Sequence, residues 1–229
     1  MTPETAKPLV KICGLRDEHT IRGMQGMPVD FVGFVFAPSK RQVTAEQAAG
    51  LLKAVSEVTM KEGRRPRAVG VFVDPTMEQL AEVLDQAPLD VVQLHGRETP
   101  AFCREITERF GVEVWRALPA DAEHEDGALG LTGTDRLADY EGIVSAVLID
   151  TAGGGTGRTF RWDLIPAYRD KAQAHGLRLF VAGGLTADNV TELISSYRPD
   201  GVDISSGVET DGSKDLTKIA AFAERVYRT

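Results

Sequence analysis

The stretch Leu9-Val10-Lys11-Ile12-Cys13-Gly14-Leu15-Arg16 decides how the rest of the chain is read. Its first five residues fit a strand. Residues two apart on a strand share a face, so Val10 and Ile12 suit an outer face against helices and turn Leu9, Lys11 and Cys13 the other way. An open doubly wound sheet usually carries a glycine-rich phosphate turn after its first strand, and Cys13-Gly14-Leu15-Arg16 lacks one. The glycines gather late instead, at Gly153 to Gly157 and at Gly183-Gly184. Loops after the last strands of a closed barrel commonly form a phosphate site at a helix N-terminus. The opening segment and the late glycines therefore point to a barrel.

Working outward, apolar or β-branched runs recur at Leu9 to Cys13, Phe31 to Phe36, Ala68 to Val73, Val91 to Leu94, Val112 to Ala117, Ala146 to Asp150, Leu179 to Ala182 and Gly201 to Ser205. Helical segments lie between them. Thr44 with Gln47 and Thr76 with Gln79 fit the capping box, and Thr99 before Pro100 fits an N-cap with proline at N1. Further helices are expected over Trp162 to Ala174, Ala187 to Tyr197 and Lys214 to Tyr227, while Gly127, Gly130 and Gly133 break any period between Pro119 and Tyr140. The spacing is about 28 residues per strand–helix unit, near the roughly 30 of a βαβ module. The expected fold is an α/β (β/α)8 TIM barrel, with residues 1–229 as one domain.

Composition narrows the functions. The chain has 229 residues, 26 Lys plus Arg against 34 Asp plus Glu, and a formal charge of −8. A nucleic-acid binder needs a basic face to displace counterions, so nucleic acid is not an expected partner. No apolar stretch approaches the roughly 18 residues of a membrane helix, and the start MTPETAKPLV has no basic n-region or apolar h-region, so a cytoplasmic protein without membrane attachment is expected. Cys13 and Cys103 are too few for a disulfide framework. Four histidines, His19, His95, His124 and His175, are scattered over different elements and give poor support for a metal site.

Polar residues converge at the C-terminal ends of the strands, where barrel enzymes place their chemistry. Gln93 and His95 share a face in the fourth strand, and Asp150 ends the sixth. In the eighth, Val202 and Ile204 suit the outer face, which turns Asp203 and Ser205 inward. A lysine inside a barrel is costly unless paired, so Lys11 is expected to pair with Asp203 on the neighbouring strand. By residue type alone, Cys13 also reads as a small buried hydrophobe, Asp150 as a loop cap, His95 as a hydrogen-bonded structural residue and Arg41 as a solvated charge. Cys103, in a helix beside Phe102, keeps the core reading.

The ordered segments KICGLR (Lys11 to Arg16), GFVFAPSKR (Gly33 to Arg41), VQLHG (Val92 to Gly96), LIDTAGGGTGRTFRW (Leu148 to Trp162), VAGGLTADNV (Val181 to Val190) and DGVDISSGVE (Asp200 to Glu209) resemble the phosphoribosylanthranilate isomerase family across nearly the whole chain. The resemblance implies a (β/α)8 barrel of tryptophan biosynthesis that needs no cofactor or metal. Its reaction converts N-(5-phosphoribosyl)anthranilate to the 1-deoxyribulose 5-phosphate isomer by an Amadori rearrangement. It further implies Cys13 as general base, Asp150 as general acid and Arg41 for the anthranilate carboxylate, with Lys40 a nearby competitor. His95 and Asp203 are expected to contact substrate. The 5-phosphate is expected at Gly154, Gly155, Thr156, Gly157, Gly183, Gly184, Ser206 and Gly207, where missing side chains let backbone N–H groups approach an anion.

One departure is Arg161 in Phe160-Arg161-Trp162, where the family often has aspartate; another is the compact stretch Thr151-Ala152-Gly153 after Asp150. The partner is thus a small phosphorylated molecule, with monomer and homodimer both open. Alternative readings are another phosphosugar barrel isomerase or epimerase, and a non-catalytic barrel that binds a phosphorylated metabolite.

Overall fold

In a computed structural model, which describes residues 7–119, 133–150 and 162–229, eight parallel strands close in sequence order. They are β1 (Leu9–Cys13), β2 (Phe31–Val35), β3 (Arg67–Phe72), β4 (Val91–Leu94), β5 (Glu113–Pro119), β6 (Ala146–Asp150), β7 (Arg178–Val181) and β8 (Gly201–Ile204). Closure comes from β8 against β1, where Lys11 lies opposite Asp203 in the register. The helices are α1 (Glu18–Gly23), α2 (Ala45–Glu57), α3 (Met77–Gln86), α4 (Pro100–Phe110), α5 (Ile165–Ala174), α6 (Val190–Tyr197) and α7 (Leu216–Arg228).

Local chemistry sets the helix starts. Thr44 and Thr76 each accept from the backbone N–H of the glutamine three residues on, and each glutamine returns a bond to the cap's N–H. These reciprocal bonds satisfy donors that the first turn leaves open. Thr99 caps α4 with Pro100 behind it. Three starts differ from the sequence reading. The segment Trp162–Leu164 is a 3₁₀ turn and α5 begins at Ile165, and Asp215 caps α7 so that Lys214 lies outside it. Helix α1, capped by Asp17, was not anticipated. Helix α6 begins at Val190, three residues later than expected. Strand edges shift by one or two residues, most at β5, which runs to Pro119.

Strand alternation divides the core in two. Phe31, Val69, Val91, Trp115, Ala146, Leu148 and Phe180 pack inside the barrel, and a larger cluster fills the space between strands and helices. Trp115 lies 4.8 Å from Phe31 and 4.5 Å from Phe180, ring centre to ring centre. Such pairs add about 0.5–1.5 kcal/mol each beyond area burial. The Trp115 indole N–H donates to Glu113, which also pairs with Arg67 and Arg178. Large aromatics thus fill the interior, while the residues at the C-terminal strand ends are smaller and more polar.

Candidate active site

At those ends lies a cavity of about 520 Å³ whose walls include Cys13, Arg41, Gln93, His95, Asp150, Gly183, Gly184, Asp203, Ser206 and Gly207. The strand period brings the residues of β1, β4, β6 and β8 to it, and the loops that follow the strands supply the others. Cys13 closes β1, Gln93 and His95 follow the inward face of β4 and its loop, Asp150 ends β6, and Asp203 lies on β8. The expected phosphate contacts at Gly154, Gly155, Thr156 and Gly157, and the departures at Thr151-Ala152-Gly153 and Arg161, lie outside the described residues.

The expected ion pair is present: Lys11 Nζ donates to Asp203 Oδ2 at 2.8 Å, with the lysine fully buried. Asp203 Oδ1 is buried without a protein partner among the described residues, as are both amide atoms of Gln93. Burial alone lowers a lysine pKa, but the charge of Asp203 and then that of Cys13 outweigh it, so the Lys11 pKa is raised and the ammonium stays charged. Cys13 sits in the field of that ammonium. Burial raises its thiol pKa, Lys11 pulls it back, and Asp203 opposes Lys11, leaving a net upward shift. Gly33 makes this packing possible, because a Cβ there would fall 2.9 Å from Cys13 Sγ and 3.2 Å from Lys11 Nζ.

His95 Nε2 lies 4.0 Å from Asp150 Oδ2. Burial, reinforced by Lys11 and Arg116, depresses its imidazole pKa to about 4, so the ring is neutral near pH 7. Its loop is pinned from behind by a buried network that sequence reasoning missed. Arg116 donates to the carbonyls of Leu94 (2.9 Å) and Gly96 (2.6 Å) and lies 3.4 Å from Glu98, whose carboxylate accepts from the N–H groups of Asp74 and Gly96. Arg116 occupies an outward strand position where the period predicts an apolar side chain.

Arg41 is not a solvated charge. It is 9% exposed and bonds Glu209 through two nitrogens. Lys40 is the exposed neighbour. Lys214, placed by the sequence reading at a helix start, instead turns inward to Ser205 and Glu209. Cys103 is fully buried in α4, with its thiol pKa raised to about 11, chiefly by burial. Among the described residues no group of three or more His, Cys, Asp or Glu is placed to hold a metal ion, and no helix is long and apolar enough to cross a membrane.

A closed parallel barrel whose C-terminal rim joins a thiol, a carboxyl group and an arginine around one sugar-sized cavity defines an acid–base barrel enzyme for a small anionic ligand. Residues 10–225 match the family model described as N-(5'phosphoribosyl)anthranilate (PRA) isomerase. The chain is 49% identical over 221 residues to an N-(5'-phosphoribosyl)anthranilate isomerase of Brevibacillus brevis, covering 95% of this chain and 92% of that protein. It superposes on monomers generated from the dimeric isomerase of Thermotoga maritima with a TM-score of 0.75 at 34% identity, covering 97% of this chain and 100% of the other. A phosphoribosyl anthranilate isomerase in complex with reduced 1-(o-carboxyphenylamino)-1-deoxyribulose 5-phosphate gives a TM-score of 0.73 at 32% identity, with coverage of 97% and 100%. The chain belongs to the phosphoribosylanthranilate isomerase family.

Proposed function

We propose that Cys13 and Asp150 perform the two proton transfers by which this family isomerises N-(5'-phosphoribosyl)anthranilate, and that Arg41 holds the substrate's carboxylate. The observation that carries the reading is the shared cavity: the thiol and the carboxyl group come from strands on opposing parts of one barrel and line the same space.

Asp150, protonated, gives its proton to the ribose ring oxygen. The C1–O bond breaks as the anilino nitrogen lone pair forms an iminium ion. The Cys13 thiolate then takes the C2 proton, and the C–H electrons enter the C1–C2 bond to give a neutral enolamine. The enol O–H proton leaves as C1 is protonated, which yields the ketone at C2 and the secondary amine at C1. No atom is gained or lost.

His95 stands beside Asp150 as a neutral ring able to hydrogen-bond sugar or acid without fixing the carboxylate charge, and Asp203 Oδ1 offers an acceptor to a sugar hydroxyl. The 5-phosphate lies against Gly183-Gly184 and Ser206-Gly207, which line the cavity. The protein works in the cytoplasm as a biosynthetic enzyme.

The deciding experiment uses freshly prepared phosphoribosylanthranilate and follows its anthranilate fluorescence, with Cys13→Ala and Asp150→Asn checked for fold by circular dichroism. The native chain turns the substrate over, and each variant loses far more than tenfold, which corresponds to about 1.4 kcal/mol of barrier. A variant active within tenfold would strip that residue of its role. Ligand binding without turnover by the native chain would leave only a binding barrel.

A further inference from the structure

We infer that Glu209 is a positioning residue that presents the Arg41 guanidinium to the substrate's aryl carboxylate. The inference rests on the reading of Arg41 above.

Its origin is a short turn. Thr210-Asp211-Gly212-Ser213 contains the Asp-Gly pair favoured in two-residue hairpins, and both central residues have positive φ, 50° and 78°. The turn joins β9 (Glu209–Thr210) to β10 (Ser213–Lys214) and sets Lys214 opposite Glu209. Lys214 Nζ donates to Glu209 Oε1 at 3.1 Å and to the Ser205 carbonyl at 2.8 Å, and Lys218 Nζ donates to the Glu209 carbonyl at 2.8 Å. The carboxylate is therefore fixed before Arg41 meets it. Arg41 Nε donates to Oε1 at 2.6 Å and one terminal nitrogen to Oε2 at 3.1 Å.

Arg41 lines the cavity, and its other terminal nitrogen has no acceptor among the described residues. Its stem crosses Gly14, where φ is +81° and a Cβ would fall 2.5 Å from Arg41 Cδ. An arginine side chain is long and free, and a bidentate carboxylate removes that freedom before the ligand arrives. Charge balance favours an anion as well. Glu209 is one negative charge between two buried cations, with Lys40 a third at 3.4 Å. Burial would raise the Glu209 carboxyl, but the Arg41 bond and Lys214 hold it near 2, so it stays ionised at neutral pH. One positive charge or more is left over for the incoming carboxylate.

The test compares Arg41→Met, Glu209→Gln and the double variant for KM and kcat. Arg41→Met raises KM by tenfold or more. Glu209→Gln raises KM severalfold to tenfold with kcat within twofold, and in the Arg41→Met background it adds nothing, because its effect passes through the arginine. An unchanged KM in Arg41→Met refutes the arginine assignment itself. A raised KM there with an unchanged KM in Glu209→Gln refutes only the positioning role, and so does a double variant whose KM rises by the product of the single effects. Glu209→Asp guards against loss of fold. It keeps the charge that Arg41 and Lys214 need but is one methylene too short for the same contacts, so KM rises threefold or more, and an unchanged KM overturns the inference.

Discussion

Lys11 is the residue whose removal tests the barrel and its chemistry together. Lys11→Met keeps most of the side-chain volume and deletes the only buried ammonium facing Asp203, at 2.8 Å, among the described residues. The carboxylate left behind already has one oxygen without a protein partner among the described residues. Breaking one side of a buried ion pair typically costs about 3–5 kcal/mol, because the surviving charge is left uncompensated. Against a domain stability of about 5–15 kcal/mol, this is readily seen in a urea titration. Replacing both partners with apolar residues, as in Lys11→Met with Asp203→Leu, removes the stranded charge and returns most of the loss. The same substitution reports on Cys13. Among the charges around the thiol, Lys11 lowers its pKa most, ahead of the opposing Asp203. Iodoacetamide alkylation of Cys13, separated from Cys103 by peptide mapping, is expected to have a midpoint above that of an ordinary thiol in the native chain. In Lys11→Met it moves higher still, and the rate at pH 8 falls. A stability loss under about 1 kcal/mol, or a double variant as unstable as the sum of the singles, would refute the buried-pair argument. An unchanged alkylation profile would refute the electrostatic one.

Two further outcomes follow from the site. The His95 imidazole has a folded pKa of about 4 against the ordinary 6.5, so the unfolded chain takes up its proton first as pH falls. Native stability is therefore intact above pH 6.5 and declines toward pH 4, by about 3 kcal/mol from this ring alone. His95→Asn removes that part of the decline, and a native-minus-variant stability difference that stays constant from pH 7 to 4 would contradict a partly buried neutral ring. Gly33→Ala places a methyl group 2.9 Å from Cys13 Sγ and 3.2 Å from Lys11 Nζ. We expect kcat to fall at least tenfold with the circular dichroism spectrum retained, and a kcat within twofold would show that the thiol tolerates displacement.

What the sequence showed and what it hid have one physical cause. Apolar periodicity reports which face of an element is buried, and it placed the strands, the inward Lys11 and Asp203, and the rim residues Cys13, His95 and Asp150. It does not report a charge on an outward, helix-facing position that pairing buries. Arg116 occupies an outward position of β5 and is inaccessible because Glu98, Tyr140 and backbone carbonyls surround it, an arrangement visible only when four segments meet. Lys214 was read as the start of a helix, although Asp215 beside it is the better N-cap and accepts from the N–H groups of Thr217 and Lys218. The stronger local signal was Asp211-Gly212, which calls for a hairpin and pushes the cap to Asp215. Helix α1 escaped because its six residues are too few to show a period, although Asp17 caps Thr20 within it.

The raised Cys13 thiol bears on when the base is formed. Burial makes a thiolate costly in the empty cavity, and Lys11 offsets only part of that cost because Asp203 shares its charge. In the mechanism proposed here, the substrate supplies the missing cation. Ring opening creates an iminium ion next to the C2–H that Cys13 must take, so a positive charge appears beside the sulfur at the step that needs the thiolate. An opposite charge within about 4–6 Å lowers the pKa of an ionisable group, and a low-dielectric cavity strengthens the effect. The same cation acidifies C2–H, which weakens the bond to be broken as the base gains strength. Stabilisation that arises only after ring opening accelerates the reaction without tightening the ground state. Asp150 therefore has to act first, and a ligand that cannot open its ring should leave the Cys13 alkylation profile without the downward shift that the iminium ion would impose.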